Sequence, residues 1–315
     1  MMDPVTHALA GLVIGSKAGS GFSLSNGIMM ASTLGAIAPD VDIAARFWGD
    51  YAYLKQHRKM SHSLPGLAFL ALVTGAVLAP FYPEQGFNVL VFWAFFGALS
   101  HSLLDLFNSY GVNLLWPLKK EKWSFNLLLI FDPVIFGLCV LLAAAGEQAR
   151  YNLIALGLIG IYLFIRWLMR LWAHRMVKSR LARRYPQARI YILPSMRYFF
   201  VWNFIMRFPG KNVVGTVNVL KRKFKIVRRL HPAKGDLRMA MQESVLGRFF
   251  RDFTPFYHVE CDVVEDKYVG HFMDLRYLVE ERFLHNGTLV LDRDLKVEEA
   301  VLQPFSLSRR IELNA

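Results

Sequence analysis

The sequence predicts an α-helical membrane bundle of about five spanning or re-entrant elements, residues 1–172, followed by a small cytoplasmic β-rich (α+β) domain, residues 173–315. Three observations predict it. The first half is filled by apolar runs of the length a hydrocarbon core demands, roughly 20 residues for one helix. Beyond Trp172 these runs give way to charge mixed with short alternating apolar stretches. Lysine and arginine also gather in alternate connections, which gives the path an orientation. At 315 residues the chain has room for two domains of ordinary size.

Residues 5–14 and 27–38 are apolar but individually too short to span, and they read as a broken or re-entrant helical pair around the glycine- and serine-rich 15–25. Asp3 and His7 stand where a cleaved signal peptide carries its basic region, which argues against one. Residues 64–82, 87–107, 125–145 and 152–172 each have the length and composition of a span. The connection 46–62 carries Arg46, Lys55, Arg58 and Lys59, and 108–124 carries Lys119, Lys120 and Lys122. Both are expected to face the cytoplasm. Connections 80–86 and 146–151 hold only Arg150 and are expected outside. Arg166, Arg170, Arg175, Lys178, Arg180, Arg183 and Arg184 place the second half inside, making a multi-pass protein of the inner (plasma) membrane. Cys139 and Cys261 form no metal or disulfide pattern and read as inert core residues.

In the second half, strands are expected at 189–193, 198–204, 213–220 and 224–229. Leu237, Met241, Val245 and Phe249 recur every four residues and predict one amphipathic helix, with strands resuming at Phe256. The basic clusters 175–189 and 221–229, in a chain of net charge +13, suit either nucleic acid or an anionic lipid surface. The inner leaflet is favoured over nucleic acid, because a basic segment directly after a span is drawn to it by about 1 kcal/mol per residue. His231, His258, His271 and His285 follow no ligand spacing and read as surface or sheet residues, although folding can bring His258, His271 and Asp274 together.

Ionisable residues beside membrane spans are expensive to keep there and point to function. His7 opens the first apolar segment, Asp40 and Asp42 close the second, and His57 and His62 follow in the next connection. His101 and Asp105 end the run that returns inward, and Asp132 opens the next one. By the expected topology all lie at one side of the bilayer. His101 and Asp105, four apart on a helix, leave from one face. Pro39 marks a helix end, after which Asp40 and Asp42 can flank a metal. Imidazole with carboxylate suits zinc best, with manganese or iron next, and this many donors admits two or more ions. Such ions polarise a phosphoryl group and generate a nucleophile from water at neutral pH. Asp40, Asp42 or Asp132 then serves as base where it is not a ligand, and Arg58 suits a bidentate phosphate contact. Asp132 before Pro133 reads equally well as an N-cap.

The ordered set Met-Asp-Pro-Val-Thr-His-Ala-Leu-Ala-Gly, Pro39-Asp40-Val41-Asp42, His57-Arg58-Lys59-Met60-Ser61-His62-Ser63 and His101-Ser102-Leu103-Leu104-Asp105 resembles the YdjM-like family of inner-membrane proteins, described as metal-dependent hydrolases. The resemblance covers roughly the first 130 residues. The family is distantly similar to zinc-dependent phospholipases C and single-strand nucleases, which are helical and bind several zinc ions through His and Asp. The resemblance implies His7, Asp40, His57 or His62, His101 and Asp105 as ligands. The expected function is hydrolysis of an ester or phosphoester, lipid-like substrate at the cytoplasmic leaflet by metal-activated water. A metal-binding scaffold or regulator, whose second domain holds a protein or nucleic acid, is the alternative. A metal transporter is disfavoured because the donors cluster at one side.

Overall fold

A computed structural model of the chain describes residues 3–313 other than 19–20, 42, 44–48, 50, 52–53, 55–59, 120, 147–148, 182–183, 209–210 and 280. It divides into two compact units. The first holds α1 (Pro4–Ala18), α2 (Gly27–Ile37), α3 (Leu64–Leu78), α4 (Phe87–Phe107), α5 (Pro133–Ala144) and the part of α6 (Ala149–Leu181) up to Leu168.

Polar side chains and prolines set where these helices begin. Asp3 accepts from the Thr6 amide at 2.8 Å with Pro4 in the first turn, Ser63 accepts from Gly66 N, and Asp132 accepts from Val134 N and Ile135 N ahead of Pro133. Each side chain satisfies amides that the helix leaves without partners, and a proline there loses no hydrogen bond.

Small residues set how closely the helices pack. A Cβ on Gly11 would lie 2.6 Å from Ser32 O, and one on Gly15 2.5 Å from Met29 Cα. Gly35 and Gly97 hold α2 and α4 together in the same way. Between lipid-facing helices no hydrophobic drive distinguishes partner from solvent, so close backbone approach does the packing.

Helix α4, 21 residues, and Arg150–Leu181, 32 residues, are long and apolar enough to cross a membrane. At 1.5 Å per residue, 21 residues cover about 31 Å, the thickness of a hydrocarbon core. The expected span 125–145 is shorter as a helix. Only Pro133–Ala144 is helical, since Pro133 cannot donate a helical hydrogen bond and Asp132 caps the end instead. The chain before it lies along the end of α4, with Phe125 N on Leu106 O at 2.7 Å and Leu127 N on Phe107 O at 2.7 Å. The expected run 64–82 stops at Leu78, and 152–172 extends to 149–181, so α6 passes the expected boundary at Trp172.

The second unit contains the rest of α6 and two antiparallel sheets. One is the meander β1 (Arg189–Pro194), β2 (Val201–Phe208), β3 (Lys211–Asn218) and β4 (Lys223–Leu230). Helices α7 (Gly235–Glu243) and α8 (Val245–Phe253) follow. The other sheet is built from β5 (Tyr257–Val264), β6 (Lys267–Asp274), β9 (His285–Leu291), β10 (Val297–Pro304) and β11 (Ile311–Glu312), in the order 11-10-9-6-5. The two-residue strands β7 (Leu278–Val279) and β8 (Arg282–Phe283) pair with each other. Leu193, Ile205, Val214 and Leu230 of the meander share a buried cluster with Met273, Leu275, Leu278 and Phe283.

The single helix expected through Leu237 and Phe249 is two. Ser244 is extended and caps the second by accepting from Gly247 N at 3.0 Å, so the four-residue period continues across a break. His258, His271 and Asp274 are not gathered: Asn212 donates to His258, His271 faces Asp262 and Asp274 is paired with Arg276. Cys139 and Cys261 are both free.

His285 gives this unit an acid limit. It is fully buried among the rings of Phe253, Tyr277 and Phe305. Burial pushes its pKa down from 6.5 to about 4, with Arg276 acting in the same direction against Asp274. Between those values the unfolded chain binds the proton and the folded chain does not. Stability is therefore complete above pH 6.5 and falls as pH drops toward 4, by about 3 kcal/mol from this residue. Thermal melts of the full chain followed by tryptophan fluorescence are expected to show that decline, and His285→Leu to make it shallower. An equally steep decline in the variant would remove His285 as its source.

Candidate metal centre

Four helix ends build the centre. His7 lies in the first turn of α1, Asp40 just past the end of α2, His62 just before α3, and His101 and Asp105 in the last two turns of α4. Helices that alternate in direction bring those four ends together. His7, His62, His101 and Asp105 are fully buried, and Asp40 is 8% exposed.

The donors face one another. His62 Nε2 lies 3.2 Å from His101 Nε2, and these two lie 3.6 and 3.7 Å from Asp105 Oδ2. Asp40 Oδ1 is 3.6 Å from His101 Nε2 and 3.9 Å from His62 Nε2, and His7 Nε2 is 3.5 Å from Asp105 Oδ1. Most of these separations exceed hydrogen-bond lengths. They match instead the edges of a ligand polyhedron: donors about 2.0–2.2 Å from a tetrahedral ion stand about 3.3–3.6 Å apart. His7, Asp40 and His101 form one group able to hold an ion, and His62, His101 and Asp105 a second that shares His101. The His7 ring stacks on His101 at 3.6 Å, and neither of its nitrogens makes a hydrogen bond among the described residues despite complete burial. A buried imidazole without hydrogen bonds, beside carboxylates, is what a cation would satisfy.

Neighbouring groups aim the donors. His101 Nδ1 is 2.7 Å from the Ala36 carbonyl, which can only accept. Nδ1 therefore carries the proton and Nε2 presents its lone pair to the cluster. His62 Nδ1 lies 2.9 Å from Ser61 Oγ, and Asn108 donates to Asp105 Oδ1 at 2.7 Å, leaving Oδ2 to face His62 and His101. Gly97, one turn before His101, lets α4 reach Ala36.

Of the residues expected from the sequence, the structure thus brings together His7, Asp40, His62, His101 and Asp105. Asp42, His57 and Arg58 lie outside the described residues. Asp132 belongs to neither group. Besides capping α5, it accepts from Tyr162 Oη at 2.7 and 2.8 Å, which joins α5 to α6. Arg166, read from sequence as a topology signal, is fully buried, and its Nε donates to Leu127 O at 2.8 Å. Ser61 and Asn108 were missed; the i+3 spacing of Asn108 from Asp105 was the available sign. The Ala36 carbonyl has no sequence sign at all.

Residues 2–173 match the family described as YdjM inner membrane protein, and 237–310 match the YfhP C-terminal alpha/beta plait domain. The uncharacterized protein YfhP of Bacillus subtilis (strain 168) is 26% identical over 338 aligned positions that cover all of both chains. No solved structure matches. The first match takes in every residue of the buried histidine–aspartate cluster and more than half of the chain, which belongs to the YdjM inner membrane protein family.

Proposed function

We propose that this protein is a membrane-bound, metal-dependent hydrolase of an ester or phosphoester in a lipid-like substrate, with zinc as the preferred ion. The observation that carries the reading is the convergence of three imidazole Nε2 atoms and two carboxylates, all but Asp40 fully buried, at one end of a helical bundle. His101 and Asp105 would hold an ion with His62, and His7 and Asp40 would hold a second or complete the first. When bound there, a divalent ion supplies Lewis-acid polarisation and acidifies water.

The chain's own residues supply the rest. Ala36 O and Ser61 fix the imidazole orientations, so the donors need no reorganisation on binding. Asp40, the most exposed of the five, would take a proton from water entering the centre where it is not itself a ligand. The apolar helix surfaces around the bundle admit a lipid without its extraction from the bilayer, and Lys119 and Lys122 after α4 favour a cytoplasmic position for the site by the charge rule.

Inside-out inner-membrane vesicles containing the protein are expected to hydrolyse added phospholipid or nitrophenyl-phosphate ester, and sealed right-side-out vesicles not to. Chelation should abolish the activity and zinc restore it. Stoichiometric metal with no turnover of any of these esters would overturn the hydrolase reading and leave a metal-binding scaffold.

A further inference from the structure

The second unit contains a cavity of about 610 Å³ whose lining includes Arg189, Arg207, Lys211 and Arg238 and no aspartate or glutamate. That volume lies within the range of small-molecule sites. None of the four cations forms an ion pair among the described residues, although seven other lysines and arginines of this unit do.

The fold places these charges together at a cost. The β1–β2 register sets Arg189 directly opposite Arg207, and β2–β3 sets Arg207 opposite Asn212. Like charges facing across a strand pair destabilise a sheet. Arg207 is half-buried against the Phe256 ring, and burial lowers its pKa from the usual value, as expected of a guanidinium short of counter-charge. The field reaches His258 in the same wall. Its pKa is pushed to about 4, first by burial, with Arg207 and Arg238 acting in the same direction. Asn212 donates to His258 Nδ1 at 2.8 Å, so this imidazole is held as a neutral Nε2–H donor. Tyr191 and Tyr257 add rings and hydroxyls to the wall.

We propose that this cavity binds a ligand through a phosphate group, clamped by Arg189, Arg207, Lys211 and Arg238. Guanidinium forks match phosphate oxygens two at a time, and a cavity this large holds more than the phosphate itself. The chemistry is shared by a free phosphate compound and by a phospholipid headgroup. The site stands on its own residues and does not depend on the metal centre.

The test uses the full chain in a nonionic detergent, titrated calorimetrically with inorganic pyrophosphate and, separately, with mixed micelles containing phosphatidic acid. One site per chain is expected for one of these probes. Arg207→Gln and Arg238→Gln should each weaken it at least about tenfold, as loss of a charge-assisted contact does. Arg238 is exposed on α7, so its variant keeps the test valid if Arg207→Gln fails to fold. Arg293→Gln, which removes an ion-paired surface cation, should leave binding unchanged. Saturation by pyrophosphate identifies a soluble ligand, and response to phosphatidic acid alone identifies a headgroup. No binding of either probe, or equal weakening by Arg293→Gln, would overturn the proposal.

Discussion

Replacing His101 by alanine is expected to empty the metal centre. Purified native protein should carry stoichiometric divalent metal by elemental analysis, and His101→Ala should carry almost none. The reason is position. His101 is the one residue common to both candidate groups, and its Nε2 has His62, Asp40 and Asp105 atoms within 3.2 to 3.7 Å. Losing a group that merely orients a ligand lowers metal affinity about 10- to 100-fold, so losing a shared ligand should cost more than about 100-fold. Asp105→Ala should behave alike. Asp132→Asn is the contrasting variant: asparagine still caps a helix, and Asp132 lies in neither group, so metal should stay. Full occupancy in His101→Ala, or metal loss confined to Asp132→Asn, would show that the ligands have been misassigned.

How much of this was legible in the sequence depends on the range of the interaction involved. The helical spacing of His101 and Asp105 is local, and the structure keeps both on one face of α4. The apolar runs marked where helices lie, because hydropathy is a property of each segment. The same signal failed at 125–145, where average hydropathy hid the stop imposed by Asp132 and Pro133. It failed again at Ser244, where the period of four from Leu237 to Phe249 persists although the helix restarts. Arg166 has a second role that its sequence does not announce: charge near a span end can mark topology or make a buried contact, and only the fold shows its Nε on Leu127 O. The cavity cations are scattered over residues 189 to 238, and strand register with the packing of α7 brings them together. Nothing local announces that.

The second large effect needs no change to any ligand. A Cβ on Gly97 would stand 2.0 Å from Ser32 O and 2.9 Å from Ala36 N, and one on Gly35 would stand 2.1 Å from Ala94 O. These are backbone atoms, which cannot swing aside, so even a methyl group must part α2 from α4. His101 lies one turn beyond Gly97, and its orientation depends on the 2.7 Å contact with Ala36 O, the carbonyl of a residue whose amide nitrogen stands 2.9 Å from where that glycine's Cβ would be. Gly97→Ala is therefore expected to destabilise the bundle by about 1–3 kcal/mol and to weaken metal binding about 10- to 100-fold, with Gly97→Leu abolishing it. Gly137 on α5 has open space where its Cβ would go, so Gly137→Ala should lower neither. Thermal midpoints and metal content of the four proteins in one detergent decide the matter. If Gly97→Ala melts and binds metal like the native chain, then α2 and α4 do not meet backbone to backbone, and the histidine is aimed by something other than the Ala36 carbonyl.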